Sequence, residues 1–202
     1  MTRAWLAAQL RGEALPAPRV DDAAAALERE GVAALLHELW QAQTPEQDDL
    51  AAWRHAAADQ TRTVAMRQLL QQSETRRIGA ALAAAGIECL WLKGAALSQW
   101  LYPKPHLRPS GDLDVLFASH ADALRAADVL APLGYRLPIW HIAGDLYVYE
   151  LLAVHAHHGL ELDLHWRLAN TALVSERLQW TELRAAAIAL PGLGEGALAL
   201  GP

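Results

Sequence analysis

Between residues 107 and 117 the chain reads LRPSGDLDVLF, and between 160 and 168 it reads LELDLHWRL. Both runs alternate apolar with acidic or polar side chains. On an extended strand, successive side chains point to opposite faces. Asp112 and Asp114 therefore share one face, about 7 Å apart, while Leu113 and Val115 point the other way. In the later run Glu161, Asp163 and His165 share a face, and Leu162, Leu164 and Trp166 take the opposite one. Aspartate is a poor strand former, and two like charges at this spacing repel and resist burial. A cation between them relieves both problems. Hard divalent ions, Mg²⁺ first and Mn²⁺ next, take one or two carboxylates and keep positions for substrate phosphates. If the two strands are neighbours, three or four carboxylates meet at one spot, as in metal-assisted phosphoryl transfer. The competing reading is a strand with one wet face, on which the aspartates are simply exposed.

WLKGAAL, residues 91–97, supplies cations and amides. Gly94 falls between an apolar run and the start of a helical one, where backbone amides and the helix dipole favour an anion. Lys93 suits phosphate as a point charge, and Arg108, four residues before Asp112, suits it bidentately.

These residues need elements to hold them. Residues 1–85 read as helical. DDAAAALEREGVAALLHELWQA opens acidic, as a helix amino end prefers, and Leu27, Leu35, Leu36 and Trp40 recur at helical spacing, with Gly31 dividing the run. From Pro45 to Ala85 a long helix is expected, broken at Gly79. After Gly86 the pattern changes. IECLWL reads as a buried strand, AALSQWLY as a helix ended by Pro103 and Pro105, and DLDVLF as the acidic strand. Ser119 with Asp122 marks a helix start and Gly134 its end. DLYVYELLAVH and LELDLHWRL read as two strands joined by a turn at AHHG, with Gly159. The order implies an α+β fold, a mixed sheet with flanking helices, preceded by a helical amino-terminal region. The expected organisation is a helical region over 1–85, a core over 86–190, and a tail over 191–202. The glycine-rich LPGLGEGALALGP shows no convincing terminal element and is expected to begin a further carboxy-terminal region.

LKGAALSQWLYPKPHLRPSGDLDVLF resembles the core of the nucleotidyltransferase superfamily with the DNA polymerase β fold, closest to a bacterial branch of uncharacterised nucleotidyltransferases. That branch reads as an apolar strand, Lys-Gly, a short helix ending in Tyr, then Arg, Asp-x-Asp, and later an acidic-x-His-Trp strand. Lys93, Gly94, Tyr102, Arg108, Asp112, Asp114, Asp163, His165 and Trp166 match in that order. The Lys-Gly and Arg…Asp-x-Asp elements are also similar to those of abortive-infection and toxin-type nucleotidyltransferases. The resemblance covers residues 86 to about 190. It implies a nucleotidyltransferase core in which Asp112, Asp114 and Asp163 form a metal-binding catalytic triad for Mg²⁺. Lys93, Gly94 and Arg108 would then bind the nucleotide phosphates. It further implies an NTP as donor and an acceptor that is a protein, an RNA or a small molecule. Where the superfamily usually carries Gly-Ser or Gly-Gly, Ala95 follows Gly94, so one hydroxyl contact to phosphate is missing. Glu161 and His165 are candidates for a supporting shell around the metal.

Composition narrows the field. A net charge of −6 argues against a non-specific nucleic-acid binder, and Cys89, the lone cysteine, excludes an internal disulfide or a cysteine-built zinc site. No stretch of about 18 apolar residues suggests a membrane span. The amino terminus is interrupted by Gln9 and Arg11 before a signal-peptide core could form, so a cytoplasmic location is expected. His155, His157, His158 and His165 crowd the hairpin, which admits a zinc-dependent hydrolase, although exposure at a turn accounts more simply for the first three. Two further readings remain: a catalytically inactive nucleotide-binding module, or a protein-interaction module, with the same fold.

Overall fold

The computed structural model describes residues 2–13, 15–18, 23–42, 50–137, 149–168 and 177–201. Asp21, Asp22, residues 45–49 and residues 145–148, which carry parts of the expected helices and strand, lie outside the described residues. The chain divides into two compact units, one of residues 1–68 and 104–109, the other of 69–103 and 110–202.

The first unit is helical. It holds α1 (Thr2–Leu10), α2 (Ala23–Glu30), α3 (Ala33–Gln41) and the first half of α4 (Ala51–Ala84). Gly31, at φ 64°, parts α2 from α3 as its position in the sequence suggests, because only glycine takes that conformation without strain. Trp5, Leu27, Leu36, Trp40 and Trp53 form the core, with Trp5 and Trp53 ring centroids 4.7 Å apart. The Trp40 indole N–H donates to Gln9 Oε1 at 3.3 Å, which satisfies two buried polar groups at once.

The second unit contains a seven-stranded mixed sheet. Its strands are β1 (Cys89–Trp91), β2 (Asp112–Phe117), β3 (Tyr135–Arg136), β4 (Glu150–His155), β5 (Glu161–His165), β6 (Ile188–Ala189) and β7 (Leu198–Ala199), in the order β3-β4-β5-β2-β1-β7-β6. Central β2 runs antiparallel to β1 and parallel to β5. The alternation read in the sequence decides which face is covered. Leu113, Val115, Phe117, Leu162 and Leu164, all fully or almost fully buried, join Ile78 and Leu82 of α4 and Ala123, Ala126 and Leu130 of α6 (His120–Leu130) in one core. On the other face Leu90, Leu92 and Leu116 form a smaller cluster with Trp180 and Leu183 of α7 (Trp180–Ala185). The acidic residues occupy the rest of that second face.

Two expectations are corrected. Helix α4 runs unbroken through Gly79, for 34 residues. One glycine costs a helix roughly 1 kcal/mol, and the burial of Ile78 and Leu82 beside it outweighs that cost. The glycine-rich end is not elementless either, since β6 and β7 pair with each other there and Ala199 of β7 lies opposite Trp91 of β1. Both strands are two residues long, too short for a periodic signal. Burial and then Glu88 push the Cys89 thiol in β1 up to about 12, which keeps it protonated at neutral pH.

Helix α6 starts as its sequence requires. The Ser119 hydroxyl accepts the Asp122 N–H at 3.1 Å and lies 2.7 Å from Asp122 Oδ2. Ser119→Ala should cost about 1 kcal/mol of stability in urea unfolding, the usual worth of an N-cap. No change in midpoint would mean that packing alone positions α6.

Candidate metal and phosphate site

Every strand contact that the acidic residues need is present in the second unit. Across β2 and β5, Asp112 lies opposite Glu161, and Asp114 lies opposite Asp163. Across the hairpin, β4 places Leu152 opposite Asp163 and Glu150 opposite His165. Turn residues 156–158 and Gly159, at φ 66°, set that register.

Asp114 is the buried centre, 2% exposed. Its Oδ1 takes the Lys93 ammonium at 2.8 Å and His165 Nε2 at 2.9 Å. Burial would push the carboxyl up, but hydrogen bonds from His165 and Lys93 and their charges hold it below its ordinary value. Part of the relief expected from a bound cation therefore comes from the Lys93 side chain. Lys93 is aimed inward from the first residue of α5 (Lys93–Leu101) at φ 40°, an uncommon conformation for a side-chain-bearing residue. Burial works against its charge, but Asp114, with Glu150 and Asp112 beyond, raises its pKa. Gly94 follows in the buried first turn of α5. This helix begins two residues earlier than the apolar spacing predicts, so the Lys-Gly pair belongs to the helix itself.

Asp163 lacks such relief. Burial, Glu150, Asp114 and Asp112 together push its carboxyl up to about 6, with His165 opposing. Asp112 stands at the edge of the face, and the Ser110 hydroxyl donates toward its Oδ1 at 3.1 Å. Glu161 is exposed. Arg108 follows the 3-10 turn Pro105–Leu107 and belongs to the first unit. Glu150, missed in the sequence, has Oε2 3.1 Å from His165 Nδ1. Counting back across the short turn from His165 would have found it, but nothing in the apolar pattern marks it.

One ligand atom each from Asp114, Asp163 and His165 lies within 4.8 Å of the other two. Ligands about 2.1 Å from a common ion stand up to about 4.2 Å apart, so the trio fits a divalent cation after shifts of a few tenths of an ångström. Asp112 is outside this trio. A second gathering, Glu74, His155 and His158, lies on the helix-covered face. There Arg77 grips both Glu74 oxygens at 3.0 and 2.6 Å and the Tyr135 hydroxyl donates to one of them at 3.0 Å. His155 Nε2 donates to the Leu133 carbonyl at 3.1 Å, and its Nδ1 accepts the His157 N–H at 3.3 Å. These groups are already committed, and they tie the hairpin to α4. A cavity of about 770 Å³ bordered by Gly79, Ala83, Cys89, Trp91 and Gly194 includes none of the site carboxylates.

A mixed sheet with flanking helices, carrying an acid-and-imidazole cluster beside a Lys-Gly helix start, is an α+β architecture consistent with a nucleotidyltransferase core. The chain belongs to the family described as "Uncharacterised nucleotidyltransferase", whose model matches residues 16–198. No curated protein and no solved structure matches it significantly. Among the described residues, no helix is long and apolar enough to cross a membrane.

The raised Asp163 carboxyl has a consequence for stability. Between about pH 4 and 6 the folded state holds a proton that the unfolded chain, at its ordinary value near 4, has lost. Above about 6 both states are ionised and folding bears the full cost of the buried charge. Below about 4 both are protonated and the cost vanishes. Asp163→Asn should therefore stabilise the metal-free protein at pH 7.5 by about 1–2 kcal/mol, a figure discounted from ~1.4 kcal/mol per tenfold change in proton affinity for partial solvation. The gain should shrink as pH falls toward 4. Urea titrations in chelator at three pH values test this, and a gain that does not change with pH would exclude charge as its cause.

Proposed function

We propose that the second unit transfers a nucleoside monophosphate from an NTP to an acceptor group and releases pyrophosphate. The observation that supports this most is the register pairing of Asp114 with Asp163 on adjacent parallel strands, beside the Lys93–Gly94 start of α5. A bound divalent cation, Mg²⁺ in the simplest case, would polarise the phosphoryl oxygens and neutralise charge on the leaving group. Asp114 and Asp163 would hold it, with Asp112 at the open edge of the same face. The first-turn amides at Gly94 and the Lys93 ammonium would hold phosphate oxygens, Lys93 exchanging its bond to Asp114 for them. Asp163 would also help draw the proton from the acceptor as its oxygen or nitrogen bonds the α-phosphorus and the α–β bridging bond breaks. The acceptor remains a protein, an RNA or a small molecule, and a cytoplasmic setting is part of this proposal.

Incubation with each labelled NTP, Mg²⁺ and a cell extract tests the reaction. Wild type should label an acceptor, and Asp163→Asn, which keeps its fold, should not. Equal labelling by both would overturn the assignment. Lys93→Ala should weaken Mg²⁺-NTP binding by roughly 10- to 150-fold, the loss of one charge-assisted contact worth about 1.5–3 kcal/mol. Calorimetry reads this directly, and unchanged affinity would place the phosphates elsewhere.

A further inference from the structure

His165 is buried, 5% exposed, and stands between two carboxylates, with Nε2 2.9 Å from Asp114 Oδ1 and Nδ1 3.1 Å from Glu150 Oε2. Glu150 lies directly opposite it across the β4–β5 pairing, so its place is set by strand register. A neutral imidazole carries one N–H. In the metal-free site the Nε2 hydrogen is shared with Asp114; a cation bound between the aspartates would take its place, leaving the ring's one N–H on Nδ1, donated to Glu150, and the Nε2 lone pair on the ion. A carboxylate behind one ring nitrogen is the usual way a protein fixes the tautomer and direction of a metal-binding histidine. A His165 ring nitrogen also lies within 4.8 Å of oxygens from both aspartates.

We propose that His165 Nε2 is a direct ligand of the site's divalent cation, beside Asp114 and Asp163, that Glu150 positions it, and that this nitrogen makes the site bind Mn²⁺ ahead of Mg²⁺. The proposal rests on the cation-dependent reading above. It assigns His165 to the metal itself, and it makes Glu150 a positioning residue. Mg²⁺ takes oxygen donors almost exclusively, whereas first-row transition ions gain from an imidazole. An all-carboxylate site would lack that source of discrimination.

Pulsed electron paramagnetic resonance of Mn²⁺ bound to the full chain reads the nitrogen without any turnover. Wild type should show the coupling of one directly bonded ¹⁴N, and histidine-selective ¹⁵N labelling should change it. His165→Asn should bind Mn²⁺ more weakly and lose the coupling. Calorimetry should show Mn²⁺ at least about tenfold tighter than Mg²⁺ in wild type. Glu150 is partly exposed, so its truncation spares the fold. Glu150→Ala should lower Mn²⁺ affinity by about 10- to 100-fold and reduce the preference over Mg²⁺, while Glu150→Gln, which keeps an acceptor for Nδ1–H, should restore most of both. These readouts decide the matter even if His165→Asn fails to fold. Mn²⁺ bound without nitrogen coupling, or a coupling that survives in His165→Asn, overturns the inference and leaves nucleotidyl transfer standing. No binding of Mn²⁺ or Mg²⁺ in the presence of NTP overturns both readings.

Discussion

Burying the Asp114 carboxylate is the constraint around which the second unit is arranged. A charge with 2% exposure survives only with compensating partners, and Asp114 has two on a single oxygen. Lys93 reaches it from the first turn of α5 and His165 from the end of β5. Each demands a particular neighbour relation. β5 must lie parallel to β2, and α5 must begin directly after β1 with Lys93 in a left-handed conformation. The same oxygen that stabilises the fold is one that a cation would use, so a metal arriving at Asp114 meets Lys93 there first.

The sheet separates this chemistry from the packing that supports it. Leucine and valine at alternate positions of β2 and β5 pack on α4 and α6, and the acidic positions between them stay on the other face. A one-residue slip of either strand would exchange the two faces. Packing therefore enforces the register that brings Asp114 opposite Asp163, and the hairpin to β4 carries that register on to Glu150.

The two clusters of ionisable residues show why residue type alone does not define a site. Glu74, His155 and His158 also bring carboxylate and imidazole together, yet Arg77 and Tyr135 occupy the carboxylate and the turn amides occupy the His155 imidazole. There the charges are satisfied among themselves. On the acidic face Asp163 keeps an unrelieved charge, visible in its raised proton affinity. Stored repulsion of that kind disappears when a cation binds.

Much of this was legible in the chain. Period-two alternation in DLDVLF and LELDLHW made both strands and their acidic faces readable, and Ser119 marked the start of α6 and Gly159 the turn before β5, because these signals are local. Lys-Gly and Asp-x-Asp pointed to the family that residues 16–198 match. Other features depended on partners distant in sequence. Whether Gly79 broke α4 depended on the burial of Ile78 and Leu82, and β6 and β7 exist only by pairing. Lys93 was legible as a cation, but its bond to Asp114 follows from a backbone turn. Glu150 carried no signal of its own, since its role comes from standing across the hairpin from His165. The sequence by itself determined which residues share a face, because alternation is a property of one strand. Only the tertiary structure decided which charges meet, because that depends on how strands are ordered and registered against one another.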